Sequence, residues 1–189
     1  NPEFTIVEWY RVGDDLQAGM TLLSELCSTL LNLPAPESLT YAEAFQRHAG
    51  VDPFSADESA EHDERLNLIL ANQVEAQLGR DRPTILYHYP ASQAALAHVT
   101  IDAAGRRVAE RFELYVDGVE LANGYHELLD ANELRRLNKK NNVLRVVDGR
   151  PAVPSDSKVL AAMEHCFPTF TRVGVGFDRR VLVAVRKTR

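Results

Sequence analysis

Residues Arg111–Glu127 read RFELYVDGVELANGYHE. Asp117-Gly118 is a two-residue turn signal between two segments of alternating apolar and polar residues, the pattern of a tight β-hairpin. A two-residue loop sets Val116 opposite Val119, Tyr115 opposite Glu120, Leu114 opposite Leu121 and Glu113 opposite Ala122. Opposed residues share a face of the sheet, as do residues two apart along a strand. Phe112, Leu114, Val116, Val119 and Leu121 are therefore expected on one oily side, and Glu113, Tyr115, Glu120 and Ala122 on the other. Glu113 and Glu120 then stand diagonally, with Cα atoms roughly 7–8 Å apart. Like charges so placed repel unless a cation lies between them or water surrounds them. The hairpin either holds a metal or is a solvated outer face.

Outward from the hairpin, the first residues, NPEFTIVEWY, are rich in strand formers, with Phe4, Ile6, Glu8 and Tyr10 pointing one way and Thr5, Val7 and Trp9 the other. Asp14 is the expected N-cap of a helix, with Gln17 three residues on. Leu16, Met20, Leu23, Leu26 and Leu30 follow at helical spacing, and Pro34 and Pro36 end the helix. Short helical patterns cover Tyr41–His48 and about Asp63–Leu78. Thr84–Tyr89 reads as a strand closed by Pro90. After the hairpin come a polar helix from about Asp130 to Val147, a loop at Arg150–Pro154 and a short helix starting near Ser155. Last is VGVGFDRRVLVAV, two glycines ahead of an apolar run. Strands separated by helices and hairpins indicate a single antiparallel α+β domain over residues 1–189.

Composition narrows the function. The chain carries 21 Lys and Arg against 27 Asp and Glu, a net charge of −6, with 45% apolar and 25% charged residues. That is a globular balance, and the acidic charge argues against a nucleic-acid module. The locally basic segment Arg135–Arg150 reads as a solvated helix face. No apolar run approaches the ~20 residues that span a bilayer, and no signal peptide pattern is present, so a cytoplasmic protein without membrane contact is expected. Cys27 and Cys166 lie far apart outside any CxxC pattern and read as two buried thiols of a reducing compartment, with a disulfide between them the alternative.

Three constellations are candidates for chemistry. The hairpin carboxylates suit Mg²⁺, which takes oxygen ligands and borrows the rest from phosphates and water. Glu8 and Tyr10 share a strand face and, with Glu127, offer a pocket for an ammonium group, or else an edge strand facing water. Arg179 follows Gly174-Val-Gly176-Phe-Asp178, where glycines allow close approach of a ligand; no GxGxxG is completed, so a Rossmann loop is a poor fit. His88 and His126 titrate in the range of general acids and bases, with a structural role the alternative. Ser92 lacks the GxSxG context of a nucleophile. No HExxH or cysteine pair suggests zinc.

Taken together, these pieces resemble a known family. NPEFTIVEWYR is similar to the second half of motif 2 in class II lysyl-tRNA synthetases, RFELYVDGVELANGYHEL to their ATP- and amino-acid-binding hairpin, and GVGFDRR to motif 3. PESLTYAEAFQRH, YHYPASQAALA and RVAERFELYVDGVELANGYHEL bring the chain nearer to the lysyl-tRNA synthetase-like ligases that attach β-lysine to bacterial elongation factor P. The resemblance implies an antiparallel sheet of six to seven strands flanked by helices. It implies activation of lysine or β-lysine with ATP and Mg²⁺ to an adenylate, then transfer to a lysine of elongation factor P. By position it implies Mg²⁺ on Glu113 and Glu120, ATP contacts at Asn1, Glu120, Leu121, Gly176 and Arg179, and lysine recognition by Glu8, Tyr10, Asn123 and Glu127. Arg179 matches the motif 3 arginine that acts on the triphosphate during catalysis.

The departures are specific. The resemblance starts inside motif 2, so motif 1, the upstream substrate loop and the first motif 2 arginine have no counterpart in these residues. Amino-acid activation by these residues alone is therefore expected to be poor. Motif 1 also forms the dimer in the family, so a homodimer is compatible with the resemblance but not inspectable. Arg172 stands where the family has glycine, Phe170 where it has cysteine, and Gly174 where the elongation-factor ligases tend to have alanine. A lysyl-tRNA synthetase core is one alternative, disfavoured because nothing resembles an anticodon-binding domain and the chain is too acidic for a tRNA partner. A non-catalytic interaction module is the other.

Overall fold

A computed structural model describes residues 3–54, 60–154, 157–165 and 167–179. The expectations on Asn1, Ser155, Cys166 and the apolar run 181–185 lie outside the described residues. The strands are β1 Ile6–Val12, β2 Glu37–Thr40, β3 Thr84–Pro90, β4 Val99–Ile101, β5 Arg107–Val116, β6 Val119–His126 and β7 Phe170–Gly176. They form one seven-stranded sheet in the order β1-β7-β6-β5-β3-β2, with β4 paired to β5. Every pairing is antiparallel except β2 against β3, so the sheet is mixed rather than wholly antiparallel. The short strands β2 and β4 carry too few residues to show an alternating pattern, and both were unanticipated.

Helices cover both faces. Helix α1, Leu16–Leu31, is capped by Asp15, whose side chain accepts from the Ala18 N–H; Asp14, the expected cap, instead pairs with Arg11 at 3.3 Å. Leu16, Met20, Leu23 and Cys27 of α1 are buried against Ile85, Phe112, Leu114, Val116 and Val173. Leu30, expected in that stripe, is exposed, and Cys27 supplies the inward position in its place. On the opposite face lie α2, Tyr41–Ala49, and α3, Ala60–Ile69, which runs on through a π-helical turn, Leu70–Val74, and a 3₁₀ turn, Glu75–Gln77. Tyr41, Phe45, Leu66, Leu70, Val74 and Leu78 pack there on Leu86, Tyr89 and Tyr115. Thr40 and Glu43 close a reciprocal capping box at the start of α2.

The polar helix is α4, Ala131–Val147, capped by Asp130; it buries only Leu134, and its basic side chains lie on a solvated face. The short helix is α5, Lys158–Met163, capped by Ser157 rather than starting near Ser155. No helix among the described residues is long and apolar enough to cross a membrane.

The hairpin has the expected turn. Asp117 and Gly118 both have positive φ, 52° and 74°, as a two-residue turn matched to strand twist demands. Its register differs from the alternation. Tyr115 pairs with Glu120 and Val116 with Val119, but Leu114 pairs with Ala122 and Glu113 with Asn123, leaving Leu121 as the extra residue of a bulge. Leu121 and Ala122 both reach the α1 side. Ala122, expected beside the carboxylates, is displaced by Asn123.

Candidate active site

The register lays side chains out in rows across four strands. Glu113 on β5 pairs with Asn123 on β6, Asn123 with Gly174 on β7, and Gly174 with Glu8 on β1. The next row is Arg111, Tyr125, Arg172 and Tyr10. Both rows share one face by strand alternation. The row between them, Phe112–Gly124–Val173–Trp9, and the row beyond Glu113, Leu114–Ala122–Val175–Val7, face α1. Gly124 is required there, because a Cβ at that position would lie 2.4 Å from the Phe112 ring.

Over the first two rows opens a cavity of about 580 Å³, lined by Ile6, Glu8, Glu120, Leu121, Asn123, Tyr125, Arg172, Gly174, Gly176 and Arg179, among others. Of the expected site residues, Glu8, Glu120, Leu121, Asn123, Gly176 and Arg179 are thus brought to one cavity. Tyr10 stands behind it, its hydroxyl 3.3 Å from Glu8 Oε2. Glu127 reaches it through Arg172. Asn1 lies outside the described residues.

Glu113 lies beneath the cavity and is neither solvated nor open. It is 4% exposed. Its Oε2 accepts from the hydroxyls of Tyr89 at 2.5 Å and Tyr115 at 2.6 Å, and its Oε1 from Arg111 Nη2 at 2.5 Å and Asn123 Nδ2 at 3.1 Å. Arg111 stacks over the Tyr89 ring, 4.4 Å from its centre. Burial, with the Glu113 charge beside them, pushes both phenols up and keeps them neutral donors. Arg111 was missed by sequence reasoning although it lies two residues from Glu113 on the same face. Glu75, which also approaches Tyr115 at 3.4 Å, comes from a distant turn and had no sequence signal.

Glu120 faces the cavity at one end. Arg179 Nη1 donates to its backbone carbonyl at 3.0 Å and to its carboxylate at 3.2 Å. Burial and the Glu113 charge push the Glu120 carboxyl up, and Arg179 opposes them. Glu75 is likewise raised by burial and by Glu113. The buried Glu113 charge thus acts on both Glu120 and Glu75, and carboxylates crowded in this way are donors whose repulsion a hard divalent cation relieves. Asp178 holds this end together by accepting from the Thr5 N–H at 2.7 Å, tying β1 to the turn after β7.

At the other end stands Arg172. Its Nε is 3.1 Å from Glu127 Oε1 and its Nη1 3.5 Å from Glu8 Oε1, and its guanidinium lies over the Tyr125 ring at 5.3 Å. These contacts are ion pairs without aligned hydrogen bonds. Arg172 Nε, Glu127 Oε1 and Asn123 Oδ1 are all buried with no hydrogen-bond partner. Burial pushes the Glu127 carboxyl up, and Arg172 opposes it. Arg172 and Glu127 at least face each other as opposite charges, whereas the Asn123 amide oxygen has no partner, and a buried polar atom so left is costly unless a ligand satisfies it.

The two histidines divide. His88 is half-buried with φ 58° and lies against Tyr87, away from the cavity. His126 bonds Glu110 and Thr169 and turns away from the cavity. Ser92 Oγ donates to Asp63 at 2.6 Å.

A twisted, largely antiparallel sheet with an acidic hairpin and an arginine after the last strand is the frame of a class II synthetase. The family described as tRNA synthetases class II (D, K and N) matches residues 1–189, and the chain belongs to it. Among curated proteins, it is 41% identical over 207 residues to an elongation factor P–(R)-β-lysine ligase of Edwardsiella ictaluri, covering 100% of this chain and 63% of that protein. It is 40% identical over 203 residues to the protein of that name from Klebsiella pneumoniae, covering 98% and 62%, and 39% identical to that of Salmonella arizonae. The chain thus spans a little under two thirds of the length of these relatives.

Proposed function

We propose that this chain belongs to an ATP-dependent ligase that activates lysine or β-lysine as an adenylate and passes the acyl group to a lysine amine of elongation factor P. The observation that carries the reading is the cavity itself. Glu120 and Arg179 stand at one end, Glu8 and Arg172 at the other with Glu127 held behind Arg172, and Asn123, whose buried Oδ1 has no hydrogen-bond partner, lines the wall between.

In this reading the triphosphate lies at the Glu120 end, over Gly176, Leu121 and Arg179, with Asn1 a further ATP contact. Mg²⁺ bound by Glu120 and Glu113 would offset phosphate charge. Glu113 would share in holding the metal only by giving up one of its four hydrogen bonds, the longest being that from Asn123 at 3.1 Å. The amino-acid carboxylate attacks the α-phosphorus, the bond to pyrophosphate breaks, and Arg179 stabilises the charge that builds on the leaving group. Glu8 and Glu127, with Tyr10 and Asn123 beside them, bind the substrate ammonium, and an apolar isostere would leave them unpaired. The acceptor amine then attacks the acyl carbonyl and AMP leaves.

The test is amino-acid-dependent ATP–pyrophosphate exchange by the full-length protein. Exchange supported by α-lysine or β-lysine is the expected result, and no exchange with any amino acid overturns the enzymatic reading. A cytoplasmic location and a homodimer belong to the same proposal, with tRNA charging as the outcome that would instead favour a lysyl-tRNA synthetase core.

Arg172 favours a second reading. One guanidinium already pairs with both carboxylates meant for an ammonium, as it would in a synthetase-like module that no longer turns over lysine. Exchange again separates the two, together with direct calorimetric binding of lysine.

A further inference from the structure

On the far side of β6 from the cavity, three metal-binding side chains converge where β4 takes over from β6 alongside β5. Glu110 Oε2 lies 2.9 Å from His98 Nδ1 and 2.5 Å from His126 Nδ1. The three ligand atoms all fall within 4.8 Å of one another, and no other such group of three occurs among the described residues.

The frame holding them is backbone. The His98 N–H donates to the His126 carbonyl, and the Glu110 N–H donates to the His98 carbonyl, each at 2.8 Å. No loop has to fold to bring the ligands together. Thr169 Oγ1 stands 2.8 Å from His126 Nε2, fixing the ring with Nδ1 toward Glu110, as an outer partner does for a metal-bound imidazole. His98 is 49% exposed and Glu110 and His126 only 18%, so two ligands are set in the protein and the third faces incoming ions.

Two imidazoles and one carboxylate are the donor set of a zinc centre with three protein ligands and an open fourth position. Co²⁺ and Ni²⁺ accept the same donors, whereas Mg²⁺ prefers oxygen alone. We propose that His98, Glu110 and His126 form a binding site for a zinc-type transition metal, separate from the carboxylates of the cavity. His126 directly precedes Glu127, so an ion there would pin the strand end from which Glu127 reaches Arg172. The site is a positioning centre and touches no substrate.

The experiment is calorimetric titration of Zn²⁺ into chelator-treated full-length protein, repeated with Co²⁺ while its visible spectrum is followed. One ion per chain is expected, with nitrogen ligation in the Co²⁺ spectrum and no competition from excess Mg²⁺. His98→Ala and Glu110→Gln should each weaken binding by about tenfold or more. Zn²⁺ should raise the melting temperature of the parent protein and not that of His98→Ala. His98 is half-exposed, so its truncation tests the site even if the Glu110 variant fails to fold. Equal Zn²⁺ affinity in parent and His98→Ala overturns the proposal, whatever the outcome of the exchange assay.

Discussion

The two ends of the cavity are built from the same chemistry, carboxylate against arginine, and differ in depth. At the Glu120 end, Arg179 is 56% exposed and holds one carboxylate at 3.2 Å. At the other, Arg172 is 30% exposed, stacks on Tyr125 and faces both Glu8 and Glu127. An exposed pair is worth little and yields its arginine to a phosphate at small cost. A partly desolvated arginine between two acids is harder to replace, because whatever enters must satisfy the carboxylates that it leaves. Residue types alone therefore do not say which arginine is a tool and which is an obstacle; burial does.

Breaking the floor beneath both ends should have the largest effect. Glu113→Ala leaves Arg111 buried without its carboxylate, and a loss of about 3–5 kcal/mol of stability is expected in urea unfolding. A loss below 1 kcal/mol would show that the Glu113 network supports neither end. At the inner end, Arg172→Gly frees Glu8 and Glu127 and should tighten lysine binding about tenfold, roughly 1.4 kcal/mol, by calorimetry. Unchanged affinity would mean that the arginine does not compete with the ligand.

At the rim, Glu120→Gln should weaken Mg²⁺-ATP binding about tenfold while moving stability by no more than about 0.5 kcal/mol. Unchanged nucleotide affinity would remove its metal role. Gly174→Ala sharpens the contrast at lower cost, since the added Cβ meets Glu8 Oε1 at 3.4 Å, an ordinary contact. The fold should be unaffected, with amino-acid preference shifting between α- and β-lysine in the exchange assay.

The smallest effect concerns a carboxylate that behaves oppositely to Glu120 and Glu127. Glu43 is held below the usual range by hydrogen bonds from the Thr40 backbone and hydroxyl. A depressed folded value stabilises above the unfolded pKa of roughly 4.3 and is lost as pH falls through the folded one. Glu43 is exposed, so solvent screening keeps the effect small, and Glu43→Gln should cost no more than about 0.5 kcal/mol at neutral pH and progressively less below about pH 4, as followed by thermal melts.

Much of this is legible in the amino-acid sequence. The Asp117-Gly118 turn, the stripe Leu16–Met20–Leu23 and the short helix from Tyr41 are local, and local rules place them. The opposite faces of Glu8 and Trp9 follow from period two. What escaped is non-local. The bulge at Leu121 shifts Asn123 opposite Glu113, and alternation does not show it because Ala122, the next residue, is small enough to sit on either face. Glu75 and the His98–Glu110–His126 cluster depend on contacts between segments 12 to 40 residues apart, whereas Arg111 was missed although it stands two residues from Glu113.

The hairpin at residues 111–127 shows the division most clearly. By itself the sequence determined that Glu113 and Glu120 lie diagonally on one face, since strand geometry permits nothing else. It left open whether they meet metal or water. Only the tertiary structure decided that Glu113 is sealed by Tyr89, Tyr115, Arg111 and Asn123 while Glu120 faces the cavity. The reason is burial: desolvation depends on what other strands and helices bring overhead, and one strand's sequence carries no record of that.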